Sequence, residues 1–147
     1  MTSELPPEFE ISTERARLDL DLVHDILTKS YWAEGRRRSV VERSISNSLC
    51  FGVYHAGRQV AFARVVSDRA VFAYLMDVFV IPEFRGRGIS KALMRAVLDH
   101  PDLQNLRMFL LGTRDAHGLY ERFGFRPLAE PDRMMAIHNP DSDKYAS

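Results

Sequence analysis

The sequence predicts an α/β (α+β) domain with a mixed sheet, on three observations. Strand-length apolar segments alternate with segments whose apolar residues recur at helical spacing. The run over residues 71–81 is almost continuously apolar and is followed at once by Pro82, as in a central strand whose ladder ends there. The chain has 147 residues, of which 46% are hydrophobic, enough for one core and one domain spanning residues 1–147.

The elements follow in order. Residues 9–12 read as a short edge strand. Leu20, Leu22, Val23, Ile26 and Leu27 then mark a first helix, with Asp19 or Asp21 available to cap it. Residues 31–38 break the period and lead to a second helix through Val40, Val41 and Ile45. Residues 49–54 and 60–66 read as strands joined at His55-Ala56-Gly57-Arg58 by a longer hairpin loop. After the central strand, Ile89, Ala92, Leu93, Ala96 and Val97 fit an amphipathic helix that Pro101 ends. Residues 107–111 supply another strand and residues 116–123 a short helix, with Gly124 as its left-handed cap. Strand signals recur near Phe125 and over residues 134–137. Residues 1–7 and 140–147 read as loose tails.

The stretch from Asp77 to Leu93 carries the most chemistry. A strand, a glycine-bearing turn and a helix start in succession leave several backbone N–H groups without intrahelical partners, and aligned peptide dipoles add positive charge. Phosphate oxygens are the natural ligand. Gly86 and Gly88 remove the Cβ atoms that would hold an anion off the backbone, and Arg85 and Arg87 can add charge-assisted contacts. A dinucleotide fingerprint would need a third glycine where Lys91 stands, and a P-loop a longer span ending in Gly-Lys followed by Ser or Thr.

What fits is Arg-x-x-Gly-x-Ser over residues 85–90, preceded by Val80-x-Pro82. It resembles motif A of the GNAT superfamily of acyl-CoA-dependent N-acyltransferases, with Ser90 standing where Gly or Ala is usual. Asp115-Ala116-His117-Gly118-Leu119-Tyr120-Glu121-Arg122-Phe123-Gly124-Phe125 is similar to the family's motif B. Together the motifs cover residues 49–138. The resemblance implies a mostly antiparallel central sheet with splayed central strands, and acetyl-CoA (coenzyme A) as co-substrate. Its pyrophosphate would be gripped by Arg85, Gly86, Arg87, Gly88, Ile89 and Ser90, and its pantetheine arm would run beside Val78, Phe79 and Val80, where a strand bulge frees backbone groups. Asp115 stands near a family position that contacts the cofactor arm; it is equally a helix N-cap. The implied activity is direct acetyl transfer, in a ternary complex, to a primary amine of a small molecule or peptide. A non-catalytic acyl-CoA-binding module and an acetyltransferase acting on a protein or charged RNA are the alternatives.

The acceptor ammonium, with a reference pKa of about 10.4, must lose a proton to become nucleophilic. Asp77, Glu83 and His117 are conceivable relay members, Asp77 first, although a hydrogen-bonded strand carboxylate is the other reading of Asp77. The departing thiolate, of conjugate-acid pKa about 8.5, benefits from a proton donor. The resemblance assigns this to Tyr120. Periodicity alone would place Tyr120 in the core with Ala116, Leu119 and Phe123. Acceptor specificity is expected between the first two helices, where Tyr31 and Trp32 could form an aromatic wall and Glu34 could pair with a cationic amine. Trp32 as a core aromatic, Glu34 as a solvated charge and Arg36-Arg37-Arg38 as a solvated helix start are the competing readings.

A formal net charge of +0 and a pI near 7.0 argue against nucleic-acid backbones as partners. Cys50, the 1 cysteine, sits in an apolar strand and reads as buried and inert. No metal is expected, because no His or Cys pair has ligand spacing. No segment is apolar and long enough to span a bilayer, and the N-terminus lacks secretory-signal features, so a cytoplasmic protein is expected. The oligomeric state is open, a homodimer included.

Overall fold

The computed structural model describes residues 5–144. Five strands, β1 (Phe9–Ser12), β2 (Leu49–His55), β3 (Arg58–Ser67), β4 (Phe72–Val80) and β5 (Met108–Leu111), form one sheet in the order β1-β2-β3-β4-β5. The first four are antiparallel and β5 runs parallel to β4. Helices α1 (Leu20–Thr28) and α2 (Arg38–Ser46) precede β2, α3 (Ile89–Asp99) crosses over from β4 to β5, and α4 (His117–Glu121) follows β5. The expected mixed, mostly antiparallel α/β sheet is therefore present.

Each helix has a local cause. The Asp19 carboxylate accepts the Leu22 N–H at 3.1 Å and caps α1, which sinks Val23 and Leu27 into the core. α2 buries Val41 and Ile45, and α3 buries Ile89, Leu93, Met94 and Val97 along one stripe. These meet Phe51, Val53, Phe62 and Val65 of the sheet in one cluster.

Two local readings need correction. The β2–β3 connection is a two-residue hairpin, with His55 opposite Arg58 and both Ala56 (φ 50°) and Gly57 (φ 85°) in the left-handed region. An extra residue in β3 beside Tyr54 absorbs the offset that had suggested a longer loop. No strand forms at Phe125 or over 134–137; every residue over 126–142 is exposed, and among the described residues no strand lies alongside to pair with.

The ends also differ from loose tails. Leu5 packs against the core, and Asp143 is ion-paired to Arg36 at 2.7 Å, while residues 1–4 and 145–147 lie outside the described residues. Burial works against the ionised Asp143 carboxylate, but the Arg36 hydrogen bond and charge outweigh it and hold its pKa below the ordinary 3.8. A carboxyl depressed in the folded state contributes stability that is complete above its unfolded value and fades as pH falls through the folded one, so this latch opens only in strong acid.

A close approach inside the sheet yields a stability prediction. A Cβ built at Gly52 would stand 2.5 Å from the Tyr54 hydroxyl oxygen and 2.8 Å from its ring, and Tyr54 is 2% exposed with Arg17 stacked over it at 4.2 Å. Gly52→Ala should therefore destabilise the fold by about 1–3 kcal/mol through overpacking, read as a lower midpoint in urea at unchanged m-value.

Candidate active site

The β4–β5 pairing runs only from Phe72↔Met108 to Leu75↔Leu111. Beyond Leu75, β4 continues through Val80 paired with β3 alone, while the chain after Leu111 turns away into Gly112 and Thr113. β4 and β5 are thus splayed, and the β4 backbone past Leu75 presents an open edge on that side. The cause is a bulge: Phe62 opposes Phe79 and Arg64 opposes Met76, so β4 has one residue more than β3, and Asp77 takes φ 55° to accommodate it.

At the far end of β4 lies the anion cradle. A short turn over Pro82–Phe84 leads to Arg85, and Gly86 and Gly88 both have φ 79°. Gly88 is the N-cap of α3 and no side chain caps the helix, so its first-turn N–H groups remain available. A Cβ built on either glycine meets no atom within 4 Å, so the space in front of the backbone is open. Arg85 donates from Nε to the Val80 carbonyl at 3.1 Å, and Arg87 lies over the Phe84 ring at 4.6 Å, which places both cations at the cradle's edge. The Ile89 side chain is buried and anchors the helix start, and Ser90 stands in the first turn. These features fit a diphosphate.

Where the strands diverge there is a cavity of ≈ 320 Å³, lined by Tyr31, Trp32, Val78, Asp115 and Tyr120 among others. Tyr31 and Trp32 stack edge to face at 5.1 Å. Arg114, from the loop after β5, lies 3.7 Å from the Tyr31 ring and ties the two walls together. Tyr120, on α4, is 9% exposed, and among the described residues no partner holds its hydroxyl. Burial, with a smaller contribution from Tyr31, pushes its pKa above the ordinary 10.0, so the phenol keeps its proton throughout the neutral range.

Asp115 lines the cavity, and the N-cap alternative for it falls away because α4 starts one residue later, with Ala116 as its N-cap and no side-chain cap. Glu34 is exposed and does not line the cavity, because the loop turns it outward at the buried Gly35. Glu83 is engaged with Arg58 at 3.1 Å, and His117 faces a neighbouring groove.

Asp77 is the centre of a buried ion network. Its two carboxylate oxygens accept from Arg36 Nη1 at 3.1 Å, from Arg64 Nε at 2.8 Å and from Trp32 Nε1 at 3.1 Å. Its side chain is 1% exposed, and those of Arg36 and Arg64 12% and 8%. Trp32 is accordingly neither a core aromatic nor free: its indole is held by this carboxylate while its face borders the cavity. Sequence reading missed Arg64, although an arginine inside the apolar run Val60-Ala61-Phe62-Ala63-Arg64-Val65 is itself a signal, since a buried cation requires a partner. Cys50 is buried and its thiol is pushed up to about 11, chiefly by burial, so it stays protonated and inert.

Among the described residues no group of three or more His, Cys, Asp or Glu side chains is placed to hold a metal, and no helix is long and apolar enough to cross a membrane.

This arrangement recurs in known proteins. The sequence profile described as acetyltransferase (GNAT) domain matches residues 46–127. The crystal structure of a GNAT-family protein from Xanthomonas campestris pv. campestris superposes with a TM-score of 0.91 at 53% identity, covering 95% of this chain and 99% of that one. A Gibberella zeae protein that carries an acetyltransferase name is 26% identical over 154 residues, 88% of this chain and 86% of its own length. N-acetylaspartate synthetase of Rattus norvegicus is 44% identical over 65 residues, which are 42% of this chain and only 22% of that protein. The splayed β4–β5 pair, the uncapped α3 and the domain match agree: the chain belongs to the GNAT family of acetyltransferases and is an acyltransferase.

Proposed function

We propose that the protein is an N-acetyltransferase that moves the acetyl group of acetyl-CoA directly to a primary amine of a small molecule or peptide within a ternary complex. One observation carries the reading: an open strand edge leads straight from a glycine cradle to a cavity lined by a buried, proton-bearing tyrosine. Acetyl-CoA would supply an acyl group already activated as a thioester.

The chain's own groups divide the work. The backbone over residues 85–90 binds the diphosphate, with Arg85 and Arg87 adding charge at the rim. Past Leu75 no strand among the described residues pairs with the side of β4 that faces away from β3, so the Val78-Phe79-Val80 segment would receive an amide-bearing arm along that side, a form of strand addition, next to the Arg85 side chain that holds the Val80 carbonyl. Asp115 borders that arm. Tyr120 holds a proton beside the place where the strands diverge, and acts as the general acid for the leaving sulfur. Tyr31 and Trp32 form the wall that receives the amine, and the likeness to N-acetylaspartate synthetase supports a small acceptor such as an amino acid.

Asp77 is a positioning residue in this reading and not the relay base. Both of its oxygens already accept from guanidinium groups, and a proton there would leave two buried cations poorly compensated.

The reading is tested by thermal shift with CoA and acetyl-CoA, followed by thiol release across an amine panel. CoA should raise the melting temperature, since a ligand of the native state stabilises it. Gly88→Val should abolish most of that rise, because a branched side chain at φ 79° both strains the helix start and fills the cradle. An equal CoA-induced rise in the folded variant would remove the cradle from the proposal.

A further inference from the structure

One wall of the acceptor cavity is tied to a residue far along the chain. Residues 126–142 are exposed, and among the described residues the chain is half-buried again only at Asp143 and Lys144, against the loop between α1 and α2. Arg36 and Lys144 form an antiparallel bridge, the Arg37 N–H donates to the Asp143 carbonyl at 2.8 Å, and Arg37 Nη2 donates to the Ser142 carbonyl at 3.2 Å. These contacts set the Asp143 carboxylate on Arg36 Nε at 2.7 Å.

Arg36 is the hinge between that segment and the cavity. His24 Nε2 donates to the Arg36 carbonyl at 3.1 Å, so the backbone is held, and the direction of the guanidinium is left to its two carboxylates, Asp143 at Nε and Asp77 at Nη1. Asp77 in turn accepts the Trp32 indole N–H at 3.1 Å, and Arg36, Asp77 and Trp32 all line the acceptor cavity. Arg64 holds the same carboxylate and is itself held by the Ser48 hydroxyl at 3.0 Å. Trp32 is 41% exposed, and among the described residues its one ring contact is with Tyr31, edge to face at 5.1 Å. Packing therefore fixes the indole only in part, and the hydrogen bond to Asp77 supplies the rest.

Resting on the acceptor cavity of the reading above, we propose that Asp143 is a positioning residue of that site, acting through Arg36 and Asp77 to fix the indole of Trp32 in the wall that receives the amine. Charge-assisted hydrogen bonds are strong and directional, so they can hand an orientation from one residue to the next. Without the Asp143 charge, Arg36 loses the carboxylate on its Nε edge, and its guanidinium is free to turn about Asp77 within the cavity it lines. The indole then loses a fixed acceptor. The glycine cradle lies at the other end of β4, so cofactor binding should not feel the change.

Trp32 is the 1 tryptophan of the chain, so its fluorescence reports on this wall without any ligand. Asp143→Asn should move the emission to longer wavelength and raise its quenching by acrylamide, with the CoA-induced rise in melting temperature unchanged. For each amine that releases thiol with the wild type, KM should rise about 3–30-fold while kcat and the KM for acetyl-CoA hold. Asp141→Asn should match the wild type, because that carboxylate is 78% exposed and pairs with Lys144 instead. In a Trp32→Phe background, Asp143→Asn should add nothing to the KM for the amine, since the indole N–H is the last step of the relay. Wild-type emission and quenching in Asp143→Asn, an equal change in Asp141→Asn, an equal loss of CoA affinity, or an additive effect in the Trp32→Phe background would overturn the proposal. A wild type that gains no stability from CoA would instead count against the transferase reading, and the fluorescence comparison would still decide the role of Asp143.

Discussion

Tyr120→Phe is expected to lower turnover about 10²-fold while leaving the affinity for CoA nearly unchanged. The substitution removes one oxygen and keeps the ring, so the edge-to-face contact with Phe125 at 6.0 Å is retained. The fold should hardly notice, because among the described residues no partner depends on the hydroxyl. The chemistry should notice, because an expelled thiolate must then take its proton from water. Burial raises the phenol above 10.0, so the wild-type acid stays protonated up to that pH and ionises only beyond it. An alkaline fall in kcat assigned to this group should accordingly lie above pH 10.0 and vanish in the variant. Unchanged turnover would assign Tyr120 to packing alone.

Asp77→Asn is expected to cost about 3–5 kcal/mol of stability, a large fraction of the roughly 5–15 kcal/mol that folded domains commonly have. The loss is not that of one hydrogen bond. Neutralising Asp77 leaves Arg64, 8% exposed, with the Ser48 hydroxyl and the Met76 sulfur as its remaining side-chain contacts, and leaves Arg36 with Asp143 alone. Arg64 is then a buried cation with no carboxylate against it, and Arg36 keeps one. Urea denaturation reads the effect directly. In any fraction that stays folded, the indole of Trp32 has lost its charged acceptor, so the KM for the amine should rise more than that for acetyl-CoA. A variant as stable as wild type would show that water reaches the network freely. Replacing Asp77, Arg36 and Arg64 together by apolar residues of similar volume should recover much of the loss, because the penalty lies in the unpaired charges.

The contrast between these two residues shows where the chain was legible. Tyr120 stands in a local pattern, a short helix capped at Arg122 and followed by the turn at Gly124 (φ 99°), and its neighbours in sequence are its neighbours in space. The cradle is equally local, since Pro82, Gly86, Gly88 and Ile89 fix a turn and a helix start within a few residues. Asp77 reads in the sequence either as a relay member beside the cofactor strand or as a hydrogen-bonded strand carboxylate, and nothing adjacent to it announces its partners. Its partners come from 41 and 13 positions away, on the loop before α2 and on β3. The strand signal over 134–137 fails because a strand forms only against an edge, and among the described residues this segment pairs with none.

The sequence by itself determined the alternation of helices and strands, the glycine cradle and the tyrosine helix, because turn chemistry and apolar periodicity act over a few residues. Only the tertiary structure decided that β4 parts from β5 after Leu75, that a bulge at Asp77 goes with it, and that Arg36 and Arg64 close on that carboxylate. Those outcomes depend on which distant segments meet in the core, where a buried charge must find its counter-ion in three dimensions.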